Sequence, residues 1–247
     1  MIPNPIRKVL STLANRRVRA LLMGGQACVF YGAVEFSRDA DLLILAEPDN
    51  LERLAEALRD LDAVEIAVPP FRVEFLHRGH GIHFRCQHPD AIRLRVDVMS
   101  RLRGVAPFEE LWARRTTLTE DDDTIYELLA LPDLVLSKKT QRDKDWPVIR
   151  RLLEADYQTR HAQATEAIRR FWLREMRTPE LLLEVAAAHP ALARELLGER
   201  PLLLAALAGD RATIQQGLAD EEKHERELDR VYWLPLKAEL AQLRHPS

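Results

Sequence analysis

The stretch SRDADLLIL, residues 37–45, places Asp39 and Asp41 inside an otherwise apolar run. Four aliphatic residues in succession after Asp41 ask for a buried β-strand. A carboxylate in such a place is costly without a positive partner, so the fold has to supply one. Strand alternation puts Ser37, Asp39, Asp41 and Leu43 on one face and Arg38, Ala40, Leu42 and Ile44 on the other. The two carboxylates then project from the same side, about 7 Å apart along the strand. Like charges so placed repel unless a cation lies between them. Mg²⁺ prefers carboxylate, water and phosphate oxygens and suits this pair, with Mn²⁺ the alternative ion.

AIRLRVDVMS, residues 91–100, repeats the pattern. Leu94, Val96 and Val98 form a core face, and Arg93, Arg95, Asp97 and Met99 the other. If this strand lies beside the first, Asp97 joins Asp39 and Asp41 as a ligand set for two metal ions, the arrangement that serves in-line phosphoryl transfer. The plainer expectation is that Asp97 pairs with Arg93 or Arg95. Glu74 in FRVEFLHR is a rival third carboxylate. Gly24 and Gly25 end the apolar stub VRALLM and precede a helix expected from Gln26. Missing side chains let phosphates approach the backbone, and a helix start offers unpaired N–H groups. An ordinary strand-to-helix turn is the alternative for this glycine pair.

Along the chain, PIRKVLSTLANRR reads as a first helix and QACVFYGAVEF as a helix of about three turns. PDNLERLAEALRDL is amphipathic, with Asp49 or Asn50 as its expected cap. FRVEFLHR and GIHFRCQH read as strands separated by a turn at Gly79 and Gly81. PFEELWARR and the region from Thr124 to Ala155 read as helical. No strand signal follows about Asp156, and Pro179, Pro190 and Pro201 mark helix starts. The expectation is an α+β fold, a mixed central sheet flanked by helices, over residues 1–155, followed by an all-helical C-terminal domain over 156–247.

Two cysteines, Cys28 and Cys86, provide no disulfide framework and point to a reduced, cytoplasmic setting. The basic N-terminus does not read as a signal peptide, and no run of about 20 apolar residues exists for a membrane span. His77, His80, His83, Cys86 and His88 crowd one segment. Their spacing alternates between faces, so a zinc site is not expected, and they read as sheet surface or cleft lining.

The glycine pair, thirteen residues, Asp39-Ala40-Asp41 in an apolar strand and the later Asp97 resemble the nucleotidyltransferase superfamily that includes DNA polymerase β. The resemblance covers roughly the first hundred residues. It implies a nucleotidyltransferase fold and a Mg²⁺-dependent transfer of NMP from an NTP to a hydroxyl acceptor, with ATP a natural substrate. Asp39, Asp41 and Asp97 would be the catalytic metal ligands, with Gly24, Gly25, Ser37 and Arg38 around the nucleotide. LPDLVLSKKTQRDKDWPVIRRLL is similar to the downstream helix of bacterial AbiE-toxin-like and minimal nucleotidyltransferases. That resemblance implies that Lys138 or Lys139 meets the triphosphate, with Arg142, Asp143, Lys144 and Asp145 in the same element, its two aspartates either catalytic or orienting the lysine. It also carries a non-catalytic alternative, a nucleotide- or partner-binding module of a toxin–antitoxin or phage-defence pair, with a cognate antitoxin as partner.

For the acceptor, Arg101, Arg103, Arg114, Arg115, Lys138, Lys139, Arg142, Lys144, Arg150 and Arg151 offer cations for RNA or tRNA. A net charge of −3 gives no global bias towards nucleic acid. Glu109, Glu110, Asp121, Asp122 and Asp123 offer the acidic pocket that a polycationic small molecule needs. A protein hydroxyl is the third possibility, and the cluster of basic residues tips the expectation towards RNA or another macromolecule.

Overall fold

A computed structural model describes residues 4–33, 39–119 and 124–244. The chain forms two compact units. The first comprises Met1–Phe30, Glu35–Ser137 and Tyr232–Ser247; the second comprises Tyr31–Val34 and Lys138–Val231.

The first unit is α+β. Its opening elements are α1 (Asn4–Asn15), β1 (Ala20–Met23), α2 (Gly24–Phe30), β2 (Asp39–Ile44) and α3 (Pro48–Asp60). β3 (Val64–Glu65), α4 (Val73–Arg78), β4 (Ile82–Arg85), a 3₁₀ turn (Pro89–Ala91) and β5 (Arg95–Met99) follow. α5 (Phe108–Ala113), β6 (Thr116–Thr119), β7 (Ile125–Leu128) and α6 (Leu131–Ser137) complete the run. Among the described residues the seven strands make one mixed sheet in the order β3-β4-β5-β2-β1-β7-β6. The β2–β5 and β1–β7 pairs are parallel and the others antiparallel.

The central strands have two unlike faces. Ala40, Leu42, Ile44, Ile82, Phe84, Val96 and Val98 are buried on one. Asp39, Asp41, His83, Arg95, Asp97 and Met99 alternate with them and are only half-buried. Strand alternation with one apolar face fixes the register, because a slip of one residue would turn every aspartate into the core.

Asn50 fastens the neighbouring ends of β1 and β2. Its side chain is buried; Oδ1 accepts from Arg19 N at 2.7 Å, and Nδ2 donates to Leu45 O at 2.8 Å and Arg19 O at 3.1 Å. It is therefore not the cap of α3. That helix has Glu47 at its N-cap without a side-chain bond and is started by Pro48. The end of the last helix, α12 (Arg211–Arg244), also returns to this unit from Tyr232 onwards. There Glu239 accepts from Arg78 at 2.8 Å and meets buried His80 at 2.7 Å. Gly79, at φ +99°, leaves room for the Tyr232 hydroxyl, which a Cβ would approach to 2.7 Å.

The second unit is helical. It contains α7 (Asp145–Arg160), a 3₁₀ turn (His161–Gln163), α8 (Glu166–Glu175), α9 (Pro179–Ala188), α10 (Pro190–Glu195), α11 (Leu203–Ala208) and α12 up to Val231. Pro179 and Pro190 open their helices as expected, where a missing N–H costs nothing. Among the described residues no helix is long and apolar enough to cross a membrane.

Pro201 does not open α11, which starts at Leu203, and three further expectations for local structure fail. FRVEFLHR is not a strand but carries α4, of which Phe75 and Leu76 are buried. The segment after Thr124 opens with β7, paired with β6, rather than with a helix. The helix after Gly24 is seven residues, not three turns.

Replacing Asn50 by Ala removes the side-chain partner of Arg19 N and of Leu45 O, while Arg19 O keeps Leu45 N at 3.3 Å. The replacement should cost about 2 kcal/mol of unfolding free energy, read from urea denaturation, without changing the far-UV spectrum.

Candidate active site

β2 and β5 bring the carboxylates together. In their parallel register Asp39 lies opposite Arg95, and Asp41 opposite Asp97. Neighbouring strands are about 4.8 Å apart, so Asp41 and Asp97 are adjacent on one face, with Asp39 one repeat along. β4 adds His83, which lies opposite Asp97 on the other side of β5. β1 adds Met23, opposite Asp41, and the chain then turns sharply at Gly24, with φ +66°.

Gly24 packs directly on Asp41. A Cβ at Gly24 would lie 1.8 Å from Asp41 Oδ2 and 2.7 Å from Asp41 Cβ. Rotating the aspartate side chain cannot relieve a clash that reaches its own Cβ. Gly24 is therefore required twice, by its left-handed backbone and by the closeness of the carboxylate. Gly25 is buried in the first turn of α2, which starts at Gly24 rather than at Gln26.

Asp97 is held by two partners. Arg95 Nε donates to Asp97 Oδ1 at 2.7 Å, and His83 Nδ1 lies 2.8 Å from the same oxygen. Arg95 Nη2 and His83 Nδ1 are 3.0 Å apart. Burial pushes the Asp97 carboxyl upwards, but the hydrogen bonds from His83 and Arg95 outweigh it and hold the group below the ordinary aspartate value. Arg95 is raised by its hydrogen bond to Asp97, against the opposing effect of burial, and by the charges of Asp97, Asp39 and Asp41. One guanidinium thus serves three carboxylates. Among the described residues no three His, Cys, Asp or Glu side chains form a closed metal ligand set. The donors that share this face are carboxylate oxygens, the type that Mg²⁺ and Mn²⁺ prefer, so the residues suit such an ion once Asp97 turns from Arg95.

Arg95 appeared in the sequence as a rival partner for Asp97, and that contact forms. Arg93 does not share the strand; it has φ +63° and lies before β5. His83 was read only as surface or cleft lining. Its place beside Asp97 depends on the β4–β5 register, which no local pattern announces. The other histidines go elsewhere. His77 meets Ala46 O at 3.1 Å, His80 meets Glu239, and His88 approaches Asp90 at 3.9 Å. Burial pushes the Cys86 thiol up to about 11, which leaves it a poor metal ligand at neutral pH. Glu74 is exposed on α4, 3.9 Å from Arg72, and is no third carboxylate.

Ser37 and Arg38 lie outside the described residues, as do Asp121, Asp122 and Asp123. Lys138, Lys139, Asp143 and Lys144 belong to the second unit. There Lys138 is buried, 3.6 Å from fully buried Asp145. Lys139 pairs with Glu175 at 2.8 Å and Glu225 at 3.8 Å. Asp143 is 98% exposed and pairs with Arg226 at 2.5 Å, and Lys144 is exposed at the N-cap of α7. Arg114 grips Asp133 with two bonds of 2.8 Å, Arg115 meets Glu127 at 2.8 Å, and Glu109 is held by Arg19 at 2.6 Å.

In comparisons with known proteins, no family model matches the chain and no curated protein matches it.

Two outcomes follow from this geometry. Gly24→Ala should destabilise the protein by about 1–2 kcal/mol through its left-handed backbone alone, with more from displacing Asp41, measured as a lowered denaturation midpoint. Asp97→Asn tests the depressed carboxyl. A group with a lowered folded pKa contributes stability above the unfolded value and loses it as pH falls. The stability gap between wild type and Asp97→Asn should therefore be full at pH 7 and close below about pH 4. A gap that stays constant down to pH 2.5 in urea titrations would remove the ionic role given to Asp97.

Proposed function

We propose that this protein is a Mg²⁺- or Mn²⁺-dependent nucleotidyltransferase with a fold of the DNA polymerase β kind. It moves an NMP from an NTP to a hydroxyl of RNA, protein or a small molecule. The observation that carries the reading is the strand register that sets Asp41 opposite Asp97, with Asp39 on the same face and Gly24 packed against Asp41. A glycine turn, a D-x-D strand and a parallel neighbour bearing one more carboxylate are the parts that such chemistry needs.

In the transfer, the acceptor oxygen forms a bond to the α-phosphorus while the bond from that phosphorus to the bridging oxygen breaks and pyrophosphate leaves. Asp39, Asp41 and Asp97 would hold a divalent ion, whose part when bound would be to neutralise phosphate charge. Asp97, whose carboxyl His83 and Arg95 hold below the ordinary aspartate value, would accept the hydroxyl proton and pass it to water. The bend at Gly24 keeps a backbone free of side chain beside Asp41, where phosphate oxygens can approach.

Arg95 favours a second reading. A guanidinium already offsets part of the charge of these carboxylates without metal, as a nucleotide- or partner-binding module of a toxin–antitoxin or phage-defence pair requires. α-Labelled NTPs incubated with total RNA, protein extract and aminoglycosides separate the two. Label transferred to any acceptor supports the enzyme, and tight binding of a co-purified protein with no transfer supports the module.

Asp41→Asn should keep the far-UV spectrum and abolish Mg²⁺-supported NTP binding in calorimetry. Binding equal to wild type would overturn the metal assignment.

A further inference from the structure

Arg95 is a cation already present at the carboxylate face. Its Nε donates to Asp97 Oδ1 at 2.7 Å, and its register position is opposite Asp39. Its side chain is 39% exposed against 17% for Asp97, so the fold anchors the carboxylate and leaves the guanidinium room to leave. The apolar core lies on the opposite face of β5, at Val96 and Val98, and Arg95 contributes nothing to it. Arginine stays protonated at every physiological pH, so its claim on the carboxylates ends only when the side chain moves away.

We propose that Arg95 is a resident countercation that competes with the divalent ion for Asp97, so that metal binding and release of the guanidinium are one event. This rests on the metal reading of the site. Without metal, Arg95 offsets the repulsion among Asp39, Asp41 and Asp97 and preserves the β2–β5 register. With metal, that neutralisation is redundant, and the two cations repel. The competition sets a threshold: the site fills only when the ion outbids an attached rival, and the protein stays folded below that threshold. His83, 2.8 Å from Asp97 and 3.0 Å from Arg95, stays as the partner that orients the carboxylate when the arginine leaves.

Mn²⁺ binding to the full chain, followed by the electron paramagnetic resonance signal of the free ion, tests this directly. Arg95→Gln should bind Mn²⁺ about two- to fivefold more tightly than wild type, the range expected for removing a partly exposed ion pair. Its melting temperature without metal should fall below wild type, and Mg²⁺ should raise it by more than it raises wild type. Arg85→Gln is the control. Arg85 is exposed and lies opposite Arg95 in the β4–β5 pair, so it removes the same charge nearby without touching Asp97. It should leave Mn²⁺ affinity within about twofold of wild type. If Arg95→Gln does not fold, Arg95→Lys keeps the charge but loses the Nε donor, and a smaller tightening is expected. Unchanged or weaker Mn²⁺ affinity in the Arg95 variant, or an equal gain in Arg85→Gln, overturns the competition. No Mn²⁺ binding by either wild type or the Arg95 variant overturns the metal reading itself.

Discussion

Neutralising three carboxylates on one face of a sheet is the constraint on which the rest of the first unit depends. Two unit charges about 5 Å apart repel by about 3 kcal/mol at an effective dielectric near 20. The backbones of Asp41 and Asp97 stand at about that spacing because β2 and β5 are parallel and in register. The register is not free to relax, since sliding either strand by one residue would bury its aspartates among Leu42, Ile44, Val96 and Val98. The apolar face thus dictates where the charges go, and Arg95 and His83 make that placement tolerable. Hydrophobic burial and electrostatic opposition meet on the same two strands, and Asn50 fastens the end of β2 against the start of β1.

The helical unit meets a similar demand with different residues. Arg200 is buried and donates to the carbonyls of Leu173 and Met176, which close the C-terminal turn of α8, while also holding Glu221 on α12 at 2.8 Å. Those carbonyls have no partner within their helix, so one arginine satisfies a helix end and ties it to a distant helix. Burial pushes the Glu221 carboxyl up, yet Arg200 and Arg177 bring it below its ordinary value. Breaking such a buried pair from one side strands the other charge, which is why these contacts constrain the arrangement more strongly than their net stabilisation suggests. Trp172 adds a buried hydrogen bond of 2.7 Å to Asp156, linking α8 to α7.

The sequence was most legible where a period ran long or a special residue had one use. The D-x-D strand, the amphipathic α3 and the proline starts of α9 and α10 are of this kind. Short segments were less legible. In α4 the six residues VEFLHR alternate apolar and polar at their start and so imitate a strand, while the actual stop is Gly79 at φ +99°. β7 begins with Ile125 and buries Tyr126 and Leu128, an alternation that the leucines after it disguise as helix. The site divides in the same way. Asp39 and Asp41 share a face by strand geometry alone, whereas the contacts of Asp97 with His83 and Asp41 are products of pairing between strands far apart in sequence. Local pattern carries the first kind of information and not the second.

The basic segment after Ser137 shows how far a side chain's partner alters its meaning. By residue type, Lys138, Lys139, Arg142 and Lys144 form a cationic patch. In the fold, Asp145 is fully buried, accepts from Thr140 at 2.5 Å and Arg142 at 2.7 Å, and lies 3.6 Å from Lys138. Trp146 closes the same turn by donating to Thr140 O at 2.9 Å. Of the two aspartates that the resemblance marked together, Asp143 is exposed and Asp145 organises the loop. Lys139 is committed to Glu175 and Glu225, and Arg114 and Arg115 to Asp133 and Glu127. A cation already matched by a carboxylate adds little to the field a phosphate backbone would meet. The arginine-rich stretch is therefore in large part a set of internal ion pairs. An RNA acceptor would have to be drawn by the few cations left over, such as exposed Arg101 and Lys144, or by exchange of partners like that proposed for Arg95.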